Sequence, residues 1–97
     1  MVKHKIIYMN FFDLTPDMLV PCERCWRERA VDVHHCEERG IGGDPTGSKD
    51  YIENLGGVCR KCHDILGSNQ EENEEFKLWC QSLDARLQKM RRALYGG

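Results

Sequence analysis

Two cysteine pairs, Cys22-x-x-Cys25 and Cys59-x-x-Cys62, constrain this chain more than any other feature of its sequence. Two residues between cysteines let both thiolates face one tetrahedral ion from a tight turn, and two such turns complete a structural zinc site. A thioredoxin-like redox pair uses a single CxxC in a strand-helix setting and leaves the second pair unexplained. A disulfide scaffold is the other use of six cysteines in so short a chain. It goes with secretion, and no basic end, long apolar centre and small-residue cleavage site stand at the N-terminus. The chain is therefore expected to be cytoplasmic, with Cys36 and Cys80 as small buried apolar side chains.

The gap from Cys25 to Cys59 exceeds the usual interval between the pairs of compact zinc modules, so a substantial insertion lies between the two turns. At 97 residues the chain is long enough for one domain only. A domain of this size buries roughly 60% of its unfolded surface, so a metal worth about 10–16 kcal/mol would dominate its stability. No run of eighteen apolar residues suggests a membrane span. Lys and Arg number 14 against 16 Asp and Glu, a net charge of −2, so nucleic-acid affinity needs a local basic face.

Lys5 to Phe12 is rich in β-branched and aromatic residues and reads as a short strand or a clamp over the core. Thr15-Pro16-Asp17 has the form of a helix start, giving one turn before Pro21. Ala30 to His35 alternates as a strand, Val31 and Val33 on one face, Asp32 and His34 on the other. Glu37 to Asp50 is broken by glycine and proline and reads as a loop. A short helix is expected near Cys59 to Cys62 with Gly67 as its C-cap. Ser68 with Glu71, and Asn69 with Glu72, have capping-box spacing. From Phe76 the apolar positions Cys80, Leu83, Leu87, Met90 and Leu94 predict one long amphipathic helix. Its repeat is shorter than a coiled coil needs, which favours packing on its own domain over pairing with another chain. Arg86, Lys89, Arg91 and Arg92 crowd its last turns, where they suit the helix dipole or a phosphate.

Between and just after the zinc turns stand His34-His35, Gly42-Gly43, Asn54 and His63. Phosphodiester hydrolysis needs a divalent cation to polarise the phosphate and a neutral imidazole to take a proton from water. Adjacent histidines on a strand leave on opposite faces, so one can turn to a metal shared with His63 while the other faces the water. A lone histidine is more often a solvated or core-satisfying imidazole; the cysteine frame changes that weighing.

With Cys22-x-x-Cys25, Val33-His34-His35, Gly42-Gly43, Asn54-Leu55 and Cys59-Arg60-Lys61-Cys62-His63, the sequence resembles the zinc-supported HNH endonucleases of the ββα-metal type. The resemblance covers about Pro21 to Gly67 and extends to the small free-standing HNH proteins of phage and prophage genomes. It implies a small α+β fold, a ββα-metal motif supported by structural zinc with a C-terminal amphipathic helix. Residues 1–20 would be a strand/turn extension, 21–67 the core and 68–97 the helix of a single domain.

The resemblance further implies that His34 and His63 hold the catalytic cation and that His35 is the general base. Asn54 would brace the loop between the two strands, Cys22, Cys25, Cys59 and Cys62 would bind zinc, and Arg39, Arg60 and Lys61 would face DNA phosphates. Many relatives carry Asp where this chain has His34, which leaves magnesium, manganese, nickel and zinc all open as the catalytic metal. Colicin-type relatives add a histidine where this chain has Gly67. The rival reading is a zinc-ribbon module that binds nucleic acid or protein without catalysis. A further one is a purely structural zinc protein whose long helix dimerises, and for the nuclease too a homodimer or a larger phage-type assembly through the C-terminal helix stays open.

Overall fold

The computed structural model describes residues 2–37 and 49–96. In chain order the elements are α1 (Lys3–Phe12), β1 (Asp32–His35), a 3-10 turn (Ile52–Asn54), β2 (Leu55–Val58), α2 (Arg60–Ser68), α3 (Gln70–Cys80) and α4 (Leu83–Tyr95). This is a small α+β architecture built round a two-stranded antiparallel sheet, as expected. Among the described residues no helix is long and apolar enough to cross a membrane.

The centre of the sheet is a strand with almost no side chains. Leu55-Gly56-Gly57-Val58 is buried throughout, and its register sets His34 opposite Gly56 and His35 opposite Leu55. A Cβ on Gly56 would lie 2.4 Å from the Phe76 ring of α3, and one on Gly57 would lie 2.7 Å from the Tyr8 hydroxyl of α1. The glycine pair therefore lets one helix close on each face of the strand. Two cores result: Val58, Leu66, Phe76 and Cys80 on the cysteine side, and Tyr8, Phe12, Leu55 and Met90 on the α1 side.

The N-terminal segment is a helix, not the strand its composition suggests. Tyr8 and Phe12, one helical turn apart, both bury, and that packing overrides a weak β preference. Asp13 ends the helix with φ 56°, a left-handed conformation that Asp tolerates. Thr15-Pro16-Asp17 is a turn rather than a helix start, because the Thr15 hydroxyl bonds the Asp17 carboxylate at 2.6 Å instead of a backbone amide.

Gly67 is not a C-cap either. α2 runs through it, and Asn69 caps the end while its side chain accepts from the Glu72 amide at 3.2 Å to open α3. Ser68 bonds back to the Asp64 carbonyl and the Glu72 carboxylate goes to Arg24, so neither capping box closes and the Asn69 side chain alone caps α3.

The long helix from Phe76 to Leu94 is in fact two, α3 and α4, parted at Gln81 and Ser82. Phe76 and Cys80 serve the cysteine-side core, whereas Leu87, Met90 and Leu94 pack on the α1 side, so one straight stripe could not reach both. Arg86 does not join the terminal basic cluster: it is fully buried.

Its guanidinium meets the buried Glu23 carboxylate in a two-pronged pair, both bonds 2.9 Å. The remaining donors reach the carbonyls of Ile52, Leu55 and Cys80 at 2.6–2.9 Å. Glu23 also accepts from the Tyr8 hydroxyl at 2.6 Å and the Trp79 indole at 3.2 Å. Burial, and then the Glu23 charge, push the Tyr8 phenol well above its usual range, so it stays a donor. Among the described residues no buried side-chain polar atom lacks a partner.

Gly56→Ala tests the strand's role. At a glycine whose backbone suits alanine and whose surroundings are open, the change stabilises by about 0.4–1 kcal/mol. Here the Phe76 ring blocks the methyl, and a loss of about 1–3 kcal/mol is expected in urea unfolding. An unchanged or raised midpoint would contradict the close approach.

Candidate functional site

The four paired cysteines converge, their sulfurs all within 4.8 Å of one another. Each pair is a turn whose backbone amides point back at its first sulfur. Arg24 and Cys25 donate to Cys22 Sγ at 3.4 and 3.5 Å, and Cys62 donates to Cys59 Sγ at 3.4 Å. The Arg24 guanidinium adds a donor to Cys62 Sγ at 3.4 Å and is itself held by Glu72 at 2.9 Å. Such donors stabilise thiolate, the form that binds a metal. Trp26 closes the first turn at φ 58°, a strained conformation for a tryptophan, held edge-on to Trp79 with ring centroids 6.0 Å apart.

Burial works against the thiolate form at Cys22, Cys25 and Cys62. It raises the Cys22 thiol and pushes Cys62 up to about 12. At Cys25 burial also acts upward, but the Arg27 and Glu28 amides together with the Cys22 and Cys62 contacts outweigh it and bring the thiol down to about 7. A divalent cation resolves that conflict by pairing with all four charges. The donor set and spacing fit zinc.

β1 carries the histidine doublet and splits it across the sheet. His34 is buried on the face covered by α2 and α3, its ring 5.3 Å from that of His63 and 6.2 Å from that of Phe76. Its Nε2 lies 2.7 Å from Asn73 Oδ1, and Asn73 Nδ2 donates to the Cys36 carbonyl at 2.9 Å. A carbonyl only accepts, so the Asn73 amide is oriented, His34 Nε2 carries the proton, and the lone pair of the neutral ring lies on Nδ1. His63, in the first turn of α2, has its Nδ1 3.4 Å from the carboxylate of Asp32, two residues before His34 on the same face of β1. Two imidazoles in ring contact, each with one nitrogen engaged by an oxygen partner, fit the way proteins present histidines to a divalent metal.

His35 leaves the other face. Its Nε2 lies 2.7 Å from Asp50 Oδ1, with 11% and 7% of the two side chains exposed, and its ring stands edge-on to that of His4 at 4.8 Å. With the carboxylate as acceptor, the neutral ring is protonated on Nε2 and keeps its lone pair on Nδ1.

Asn54, 1% exposed, joins the two sides of the segment between the strands. Its Oδ1 accepts from the Glu37 amide at 2.7 Å, and its Nδ2 donates to the carbonyls of Glu37 and Lys49 at 3.1 and 2.9 Å. Lys77 and Tyr51, with Lys49, bind the Glu37 carboxylate and hold its acidity at about 2, tying the same point to α3.

Arg39 and the Gly42-Gly43 pair lie outside the described residues. Arg60 is 76% exposed, 3.7 Å from Asp32 on the His63 side. Lys61 lines a groove beside the cysteines with Arg24 and Arg27, a groove that Arg60 does not line. Sequence reasoning missed Asp50, Asn73 and His4. Only Asp32 left a signal, its shared strand face with His34.

A CxxC turn that opens α2, a two-stranded sheet bearing a histidine doublet and an asparagine closing the intervening segment thus stand together in one part of the chain. Residues 22–69 match the family model described as HNH endonuclease, and through this segment the chain belongs to the HNH family. No curated protein and no solved structure matches the chain significantly.

Strong chelation tests the cysteine centre. One zinc per chain is expected by elemental analysis, and its removal should collapse the far-UV dichroism, because a metal site of this kind couples binding to folding. A native spectrum after complete removal would rule out a structural role.

Proposed function

We propose that this protein is a metal-dependent HNH endonuclease that hydrolyses DNA phosphodiester bonds. The observation that carries the reading is the split doublet: His34 and His63 in contact on one face of β1, and His35 held by a carboxylate on the other. Zinc at Cys22, Cys25, Cys59 and Cys62 fixes the turn from which α2 presents His63. His34 and His63 would hold the catalytic divalent cation, magnesium, manganese, nickel or zinc, which when bound polarises the scissile phosphate and stabilises the leaving oxygen. His35 takes a proton from the attacking water at Nδ1, and Asp50 both orients its ring and stabilises the imidazolium that forms. Asn54 keeps the two sides of the intervening segment at fixed separation, so the base stays aligned. Arg39, Arg60 and Lys61 are the proposed phosphate contacts, with cytoplasmic DNA as the substrate. The apolar residues Leu87, Met90 and Leu94 of α4 pack against the core formed with Tyr8, Phe12 and Leu55, so pairing through that helix is not part of the proposal.

A supercoiled-plasmid assay over several divalent metals tests the reading, each variant being checked for retained zinc and native dichroism. His35→Ala should lower nicking by about a hundredfold to ten-thousandfold, the usual contribution of a positioned general base. His63→Ala should instead raise the metal concentration required, with activity partly recovered at high metal. Wild-type nicking by His35→Ala would remove the base assignment. A wild-type chain inert toward every metal and DNA form would favour the zinc-ribbon binding module.

A further inference from the structure

His4, His35 and Asp50 place one ligand atom each within 4.8 Å of one another. They come from three parts of the chain: the first turn of α1, the last residue of β1 and the segment before the 3-10 turn. All three are partly buried, so the cluster is not a chance meeting of mobile surface groups. His4 lies outside residues 22–69, which match the family, so α1 adds to the motif a group the motif does not contain.

We propose that His4, His35 and Asp50 form a third divalent-metal site, separate from the cysteine cluster and from the His34 and His63 pair, that takes a transition ion such as zinc, cobalt or nickel. Two imidazole nitrogens and a carboxylate oxygen suit these borderline ions rather than magnesium or calcium, which prefer all-oxygen shells. His35 and Asp50 already sit at 2.7 Å, and His4 faces them, so the three need only open slightly about an ion. Three protein ligands leave one tetrahedral position for water.

A consequence follows that rests on the base assignment above. A neutral imidazole has one lone pair; an ion held between His35 and Asp50 takes it at Nε2, the ring proton moves to Nδ1, and the ring accepts no proton from water. Occupation of this site therefore silences His35, and excess transition metal inhibits cleavage.

Binding is tested apart from activity. In zinc-loaded His63→Ala protein, which lacks the proposed catalytic pair, added Co²⁺ should give visible absorption for one ion per chain without intense thiolate charge-transfer bands. His4→Ala and Asp50→Asn, each made in that background, should weaken this uptake by about tenfold or more, the size that even outer partners of a metal ligand carry. His4→Gln is the second variant should His4→Ala lose its native dichroism. Absence of the cobalt signal, or uptake unchanged by loss of His4, would overturn the site. In the plasmid assay excess zinc should inhibit the chain with His4 and inhibit His4→Ala much less; equal inhibition would overturn the regulatory consequence. A chain that cleaves nothing but still binds cobalt through His4 would refute the nuclease reading and leave the metal site standing.

Discussion

Everything in this small molecule is anchored on the pairing of Glu23 with Arg86. Glu23 sits between the first two cysteines, so its carboxylate is part of the metal-binding turn. Arg86 belongs to α4, far along the chain, and its other donors hold carbonyls of the 3-10 turn, of β2 and of the end of α3. Tyr8 of α1 and Trp79 of α3 bind the same carboxylate. One ion pair thus joins the cysteine turn, the sheet and three helices. Buried pairs contribute little net stability compared with a well-packed apolar substitute, but removing one partner strands the other charge. The effect is to admit one arrangement of the elements and penalise the rest.

That arrangement decides how the histidine doublet is used. Strand alternation alone sends His34 and His35 to opposite faces. Different helices then meet each ring: α2 and α3 supply His63 and Asn73 to the first, while α1 supplies His4 to the second. The bare backbone of Gly56 and Gly57 permits both approaches, since Phe76 and Tyr8 occupy the space that side chains would fill. Asn54 closes the two sides of the long segment at the end of the same sheet. The site is therefore a product of sheet parity and helix closure as much as of its residues.

Features written in local spacing could be read from the sequence. The cysteine pairs, the alternation before His34 and the cap at Asn69 depend on neighbours within a few positions, and each has its structural counterpart. Features that depend on distant partners could not. The residues of α1 prefer strand by composition, and only burial of Tyr8 and Phe12 against Leu55 and Met90 makes them helical. The break at Ser82 leaves the apolar period nearly intact, so it is invisible until two separate cores claim the two halves. Arg86 looks like one of several terminal cations, and Asp50 like one more loop acid. Their roles come from Glu23, 63 positions away, and from His35, 15 positions away.

The most direct test of this account is a double-mutant cycle on zinc-loaded protein, with Glu23→Gln, Arg86→Met and both together, followed by urea unfolding. Each single change should cost about 3–5 kcal/mol by stranding its partner. The double variant should lose less than the sum by more than about 1 kcal/mol, because with both partners replaced no buried charge is left unpaired. Losses that simply add would show that the two residues act independently and that the pair is not what holds the elements together.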